Sequence, residues 1–419
     1  MSLQEQEIKT LPETVPTRKS PPPVSTRLIE IGWMIAGRLD REDLQAIFDA
    51  RIKLLENLRS LFPQFEWRIP VIQRKDLVRT PRIEPVDLLE AGSIELEAKH
   101  WDFVFVITGA DLETHFKPYA FGTPARALSA AVISTARLDP IASFSTASEE
   151  ERVEVMIRRI FALSMHLFGH LNGLFHHDDP RDFMYNIQSV LDLDHMERFD
   201  EEELEHLLEE LTEVADLRLE EVSHLPPHPI IFFLKATWRN FDDIWNSVLQ
   251  VKPWTFPLRL SRLSTAAFSA LLILIITAEV WDLGMSLSAA TVLAFSLGAL
   301  ILTTYFIIER QHLLSRRLKV RRLTEQTVIT TMSVIITIFL GMFTVYLLLF
   351  AVVLFLGLTL FTPTIIAEWA PLQEGQITLR DYFVFAGFVA SIGVILGALG
   401  ASFEEAHYFR HIAFVDEET

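Results

Sequence analysis

The chain reads as an α+β domain built on a mixed sheet, followed by an all-α bundle of membrane-spanning helices. Half of the 419 residues are apolar, and the excess lies between residues 264 and 402, in runs long enough to cross a bilayer. Residues 1 to about 260 instead mix charged, apolar and turn-forming residues, as a water-exposed domain does. A third observation places the chemistry: His166, His170, Gly173 and His176 fall within eleven residues.

Charge and composition narrow the classes further. A net charge of -18 argues against a nucleic-acid binder, and much of the acid sits in one run from Glu201 through Glu221, the pattern of a solvated helical face. The absence of cysteine excludes disulfides and thiolate metal sites.

Residues 1–25 are polar, contain Pro21-Pro22-Pro23 and lack an apolar signal run, so they predict a disordered leader. The metal-bearing domain is placed at 26–224. Leu28–Ala36 is short, apolar and rich in strand formers, which predicts a strand buried on both faces. Asp40 caps a helix in which Ile47, Leu54, Leu55, Leu58 and Leu61 recur at near-helical spacing. Phe65–Ile72, Trp101–Thr108 and Ala131–Arg137 supply three more strands. Ser148 and Glu151 form a capping box, and Val153, Met156, Ile157, Ile160, Phe161 and Leu163 carry the helix on into His166.

Residues four apart share a helix face, so His166 and His170 can offer ring nitrogens to one ion. Gly173 can end the helix in a left-handed conformation, and the reversal returns His176 as a third ligand. Three protein ligands plus an open position is the coordination of a catalytic Zn2+. His177 and Asp178 are the fallback third ligands if the chain turns differently.

This pattern resembles the metzincin zinc signature HExxHxxGxxH, with Leu167 at the glutamate position. More narrowly, the order of elements, the strand Ala131–Leu138 and the spacing beyond His176 resemble the archaemetzincin family, whose pattern is HExxHxxGxxHCx4CxM. The resemblance covers roughly residues 27 to 210 and implies a metzincin-like mixed-sheet zinc domain. It implies that Met184 is the methionine of the turn beneath the metal. It also implies that the general base is missing at Leu167, which spares metal binding and damages hydrolysis. The family's two nearby cysteines become His177 and Asp182, and its later pair would fall at Glu202 and Glu205. A thiolate second zinc is therefore impossible, and an oxygen and imidazole site at these four positions competes with plain surface polarity. The strand Ala131–Arg137 would be the edge along which an extended peptide pairs.

Leu225-Pro-Pro-His-Pro229 breaks the chain, and 225–262 reads as a linker with an amphipathic helix at the membrane interface. There Phe232, Phe233, Trp238, Phe241, Ile244, Trp245 and Trp254 mix with Lys235 and Arg239. Packing of these aromatic residues on the polar domain is the competing reading. The membrane domain spans 263–403, with crossings at about 264–282, 287–308, 328–361 and 382–402. The third is long enough to run about 51 Å as one helix, which must leave the bilayer. Residues 404–419 form a short acidic tail. The basic stretch Arg310, Arg316, Arg317, Lys319, Arg321 and Arg322 belongs in the cytoplasm, which puts the zinc domain there too, at the cell membrane if the source is prokaryotic. A fifth crossing would move only the tail.

These features lead to a membrane-anchored zinc protein derived from a metallopeptidase, its general base lost or altered, that binds a peptide or protein partner at the cytoplasmic face: a pseudoprotease. An active peptidase with a substitute base, from Asp178, Asp179 or Glu154, is the first alternative. A transporter or scaffold regulated by the zinc domain is the second, weakened by the lack of a charged pair within the spans.

Overall fold

A computed structural model describes residues 27–140, 148–216, 228–314, 324–370 and 377–419. The leader 1–25, the break at 225–227 and the basic residues Arg316 to Arg322 lie outside the described residues, as do Glu220, Glu221 and Glu374.

The polar domain is organised by β1 (Arg27–Ala36), whose residues are apolar on both faces. After α1 (Arg41–Leu61), capped by Asp40 accepting from the Asp43 amide, the chain returns as β2 (Phe65–Arg68) and β3 (Val71–Arg74). The sequence suggests one strand here. Pro70 interrupts it: β2 pairs in parallel with the first half of β1 and β3 with the second, and the Pro70 carbonyl accepts from the Trp33 amide at 2.8 Å.

A short β4 (Arg82–Ile83) leads into α2 (Pro85–Lys99), which the sequence does not reveal because it is buried on most of its surface and lacks a clean apolar stripe. Then follow β5 (Phe103–Thr108), β6 (Asp111–Leu112), β7 (Gly122–Ala125) and β8 (Ala130–Ser134). The sheet order is β2-β1-β5-β8-β7, parallel except for β7, which runs antiparallel to β8. The edge is therefore β7 and not the segment Ala131–Arg137, because β8 is paired on both sides. Gly122 and Pro124 mask β7 in the sequence, yet an edge tolerates proline, which has no N–H to donate.

Strand alternation divides the apolar residues between two cores. Ile29, Ile31, Trp33, Phe105 and Ile133 face α1 and the metal helix α3 (Glu149–Leu171). Met34, Val104, Val106 and Val132 face α2, and that core continues into the helical part through Phe256, Leu260 and Val334. The acidic run forms α4 (Glu201–Val214), capped by Asp200.

The helical part begins with α5 (Pro229–Arg239) and α6 (Phe241–Val251). Phe232, Ala236, Ile244 and Val248 are buried, whereas Trp238 and Trp254 are exposed, so this region both packs and presents aromatic surface. A short α7 (Phe256–Arg259) precedes α8 (Ser261–Ile275) and α9 (Ala278–Ser286). The expected single crossing at 264–282 is thus broken at Ile276-Thr277, where the Trp281 indole N–H donates to the freed Ile275 carbonyl at 2.8 Å.

Among the described residues, three helices are long and apolar enough to cross a membrane: α10 (Ala289–Arg310), α11 (Glu325–Leu360) and, beyond the short α12 (Pro363–Trp369), α13 (Leu379–Ala401). Phe241–Arg259 with Ser261–Ile275 makes a fourth if that pair, bent by 52°, is taken as one span. The long stretch is one helix of 36 residues, and its first turns lie on the polar domain, where Thr330 donates to the Ala127 carbonyl at 2.6 Å. Residues 404–419 are not a solvated tail. They form α14 (Ala406–Phe414), tied by Arg410 to Asp87 and Glu90, and end on the polar domain with Glu418 and Thr419 each 4% exposed.

Candidate metal centre

The metal helix is locally determined at both ends. Ser148 and Glu151 cap its start reciprocally, and Asn172 closes its end by donating from its side chain to the Phe168 carbonyl at 2.8 Å. Gly173 follows at φ 86°, and a Cβ there would sit 2.0 Å from an Arg126 guanidinium nitrogen. The reversal carries His176 back, and the ligand atoms of His166, His170 and His176 lie within 4.8 Å of one another.

The His166 tautomer follows from its hydrogen bond. His166 Nδ1 faces the Phe183 carbonyl at 2.6 Å and must donate to it, which leaves the Nε2 lone pair free. The His170 Nε2 faces that lone pair at 3.1 Å. With the His170 proton on Nδ1, a cation between the two rings would take both lone pairs. Two zinc–nitrogen bonds at a tetrahedral angle place their nitrogens ~3.3 Å apart.

Burial, first, pushes the His166 imidazole down to about 3, against the opposing pull of its Phe183 hydrogen bond. Burial and then His166 lower His170 well below the ordinary value. Burial also lowers His176, whose side chain is 26% exposed. Three neutral imidazoles with one exposed side suit a divalent ion with an open position, and such an ion supplies Lewis acidity and an acidified water.

Met184 lies directly under this helix: a Cβ on Gly169 would be 2.3 Å from its sulfur. The segment is held by Asp182, which accepts from the Met184 amide at 2.6 Å, so the Phe183 carbonyl stays aimed at His166. His177 instead approaches Asp200 at 3.8 Å, and Asp182 faces Glu203, whose carboxyl burial raises to about 7. Among the described residues His177, Asp182, Glu202 and Glu205 do not gather their ligand atoms as the triad does, because these contacts brace the turn instead. A different second group does gather, Glu84, His115 and His411, at the junction of the polar domain with α14.

Leu167 is fully buried, its methyl packed beneath Gly122 of β7. The suggested substitute bases stand elsewhere. Asp179 accepts from the Arg181 amide and pairs with Arg198, Asp178 is exposed, and Glu154 lies three turns up the helix from His166, ~18 Å away. The carboxylate that does reach the triad is Glu417, whose Oε2 is 3.5 Å from His176 Nε2 and whose other oxygen is 3.5 Å from Lys117. No local motif marks it, since its position depends on the whole helical part folding back.

No family model and no curated protein matches the chain. Among solved structures it is similar to an archaemetzincin from Methanopyrus kandleri, at 20% identity and TM-score 0.34 over 44% of this chain and 97% of that one. It is also similar to a zinc-dependent peptidase from Methanocorpusculum labreanum, at 20% identity and TM-score 0.33 over 42% of this chain and 99% of that one. An archaemetzincin from Archaeoglobus fulgidus gives 19% identity and TM-score 0.30 over 42% of this chain and 99% of that one.

Proposed function

We propose that this chain is a membrane-anchored zinc protein with an archaemetzincin-like domain, its general base replaced by Leu167, that receives an extended peptide at the cytoplasmic face. The observation that carries this reading is the gathering of the His166, His170 and His176 ligand atoms within 4.8 Å of one another, with the His166 Nε2 left free by its Nδ1 bond to the Phe183 carbonyl. Zinc is the ion because the donors are imidazoles, the set is three, and one position is left open. Leu167 offers nothing that takes a proton, and it sits where the resemblance puts the base. The groove for a peptide is the side of β7 turned away from β8, beside the triad.

The anchor follows from hydropathy and parity. The apolar helices expose Leu272, Ile273, Leu293, Leu297, Ile301 and Phe355, a surface that belongs in lipid. Because α14 and Thr419 touch the polar domain, the chain crosses an even number of times between them. Three long helices are odd, so α8, the apolar half of the bent pair, supplies the fourth crossing. Charged groups buried in the helical part, Glu325 and Arg410, sit at its junction with the polar domain, and buried mid-helix polar groups such as Ser296 and Ser391 bond to each other. That arrangement favours an anchor over an ion pathway.

Metal analysis of protein purified without chelator tests the site: one zinc per chain is expected, lost in His166→Ala, and a metal-free wild type refutes it. The chain has no cysteine of its own, so single Glu368→Cys and Arg310→Cys variants report topology without background. The first is expected to react with an impermeant maleimide from outside intact cells and the second from the cytoplasm; the reverse pattern overturns the orientation.

A further inference from the structure

The last four described residues do something a solvated tail would not. Thr419 and Gly122 exchange backbone hydrogen bonds, N–H to carbonyl at 2.9 Å in one direction and 3.3 Å in the other, and the Phe121 amide also donates to the Thr419 carbonyl at 2.6 Å. The Asp416 amide donates to the Pro124 carbonyl at 3.1 Å. Mutual exchange at one residue pair is the antiparallel pattern, so this segment lies antiparallel along β7.

Each acidic side chain then meets a different partner. Asp416 accepts from the Arg126 amide at 2.6 Å. Glu418 accepts from the successive amides of His115, Phe116 and Lys117 at 2.6, 3.0 and 2.7 Å, and lies 3.0 Å from His411. Between them Glu417 reaches His176 and Lys117. Three consecutive acids in three dedicated receptors are a recognised sequence, since a chance docking leaves most of its charges in water.

We propose that Asp416–Thr419 is an intramolecular occupant of the peptide groove along β7, which holds the Glu417 carboxylate beside His176, where it would reach a metal held by the triad. This rests on the reading of the triad as a zinc site. It makes Glu417 a blocking ligand and not a substitute base, because the segment that presents it uses the same Gly122 and Pro124 backbone groups that another peptide would need. The groove opens only when the tail leaves, and it accepts acidic extended peptides that resemble the tail.

The test uses full-length protein in detergent and a variant lacking Asp416–Thr419, with a fluorescein-labelled peptide Ala-Phe-Val-Asp-Glu-Glu-Thr as probe. A tethered tail competes at millimolar effective concentration, so the deletion is expected to take up the peptide at least about tenfold more tightly than wild type. Equal uptake by the two proteins overturns the proposal. Glu417→Gln keeps the backbone pairing and covers the case of a deletion that fails to fold. Loaded with cobalt(II), it is expected to show an altered visible spectrum while the Thr419 amide stays protected from hydrogen exchange, and an unchanged spectrum overturns the role of Glu417. If no protein binds metal, the zinc reading fails, while peptide uptake by the deletion still reports on the groove separately.

Discussion

Gly173→Ala is the substitution on which most of the site depends. An alanine at φ 86° carries left-handed strain of ~1–2 kcal/mol. Its Cβ would also lie 2.0 Å from Arg126 Nη1, so the guanidinium must move. That group is 5% exposed and holds Glu210 at 2.9 Å and Asp243 at 3.0 Å. Breaking a buried pair costs ~3–5 kcal/mol, but these carboxylates are 20% and 34% exposed, so water takes back much of it and ~1–2 kcal/mol remains. The sum is ~2–4 kcal/mol. A metal-free turn can relax while a metal-bound one must return His176, so zinc affinity is expected to fall by between about 30- and 700-fold if the whole cost lands on the bound state. Competition with a chromophoric chelator measures this directly, and Gly298→Ala, where nothing lies within 4 Å of the new Cβ, is the control. Zinc affinity within threefold of wild type would refute the argument that this reversal positions the third ligand.

Three further predictions follow from the same geometry. Leu167→Glu in protein lacking Asp416–Thr419 is expected to raise peptide cleavage by about 10²- to 10⁴-fold at full zinc loading, the span of a positioned general base, and no gain sinks the account of the missing base. Gly400→Ala puts a Cβ 2.5 Å from Ala266 and 2.7 Å from the Arg262 carbonyl, so α13 can no longer lie against α8. A lowered melting temperature in detergent, from ~1–3 kcal/mol of overpacking, is expected, and an unshifted melt would contradict that contact. Asp43 is raised to about 6 chiefly by burial and then by Asp40, so its charged form is disfavoured in the folded state. Its contribution is full below pH ~4 and lost as the pH climbs through about 6. Asp43→Asn should therefore melt increasingly higher relative to wild type between pH 4 and 7, and a constant difference would rule the effect out.

Local sequence determined the parts of this protein whose physics is local. The capping box at Ser148, the i, i+4 spacing of His166 and His170, the glycine at 173 and the placing of Met184 after the last histidine are all visible in the chain, because helix geometry and one backbone reversal suffice to arrange them. The apolar runs likewise declared the long helices. Tertiary structure decided what depends on which strand has a free side and where a distant segment returns. The edge belongs to β7 and not to Ala131–Arg137, because Gly-Thr-Pro-Ala carries no strand signal and acquires its conformation only by pairing with β8. The acidic residues at 416–418 read only as part of a short acidic tail until the Arg126 amide and the amides of His115 to Lys117 are folded into place to receive them. Spacing along a helix is written in adjacent residues, whereas a receptor for Glu417 and Glu418 exists only after the sheet, α14 and the bundle have closed on one another.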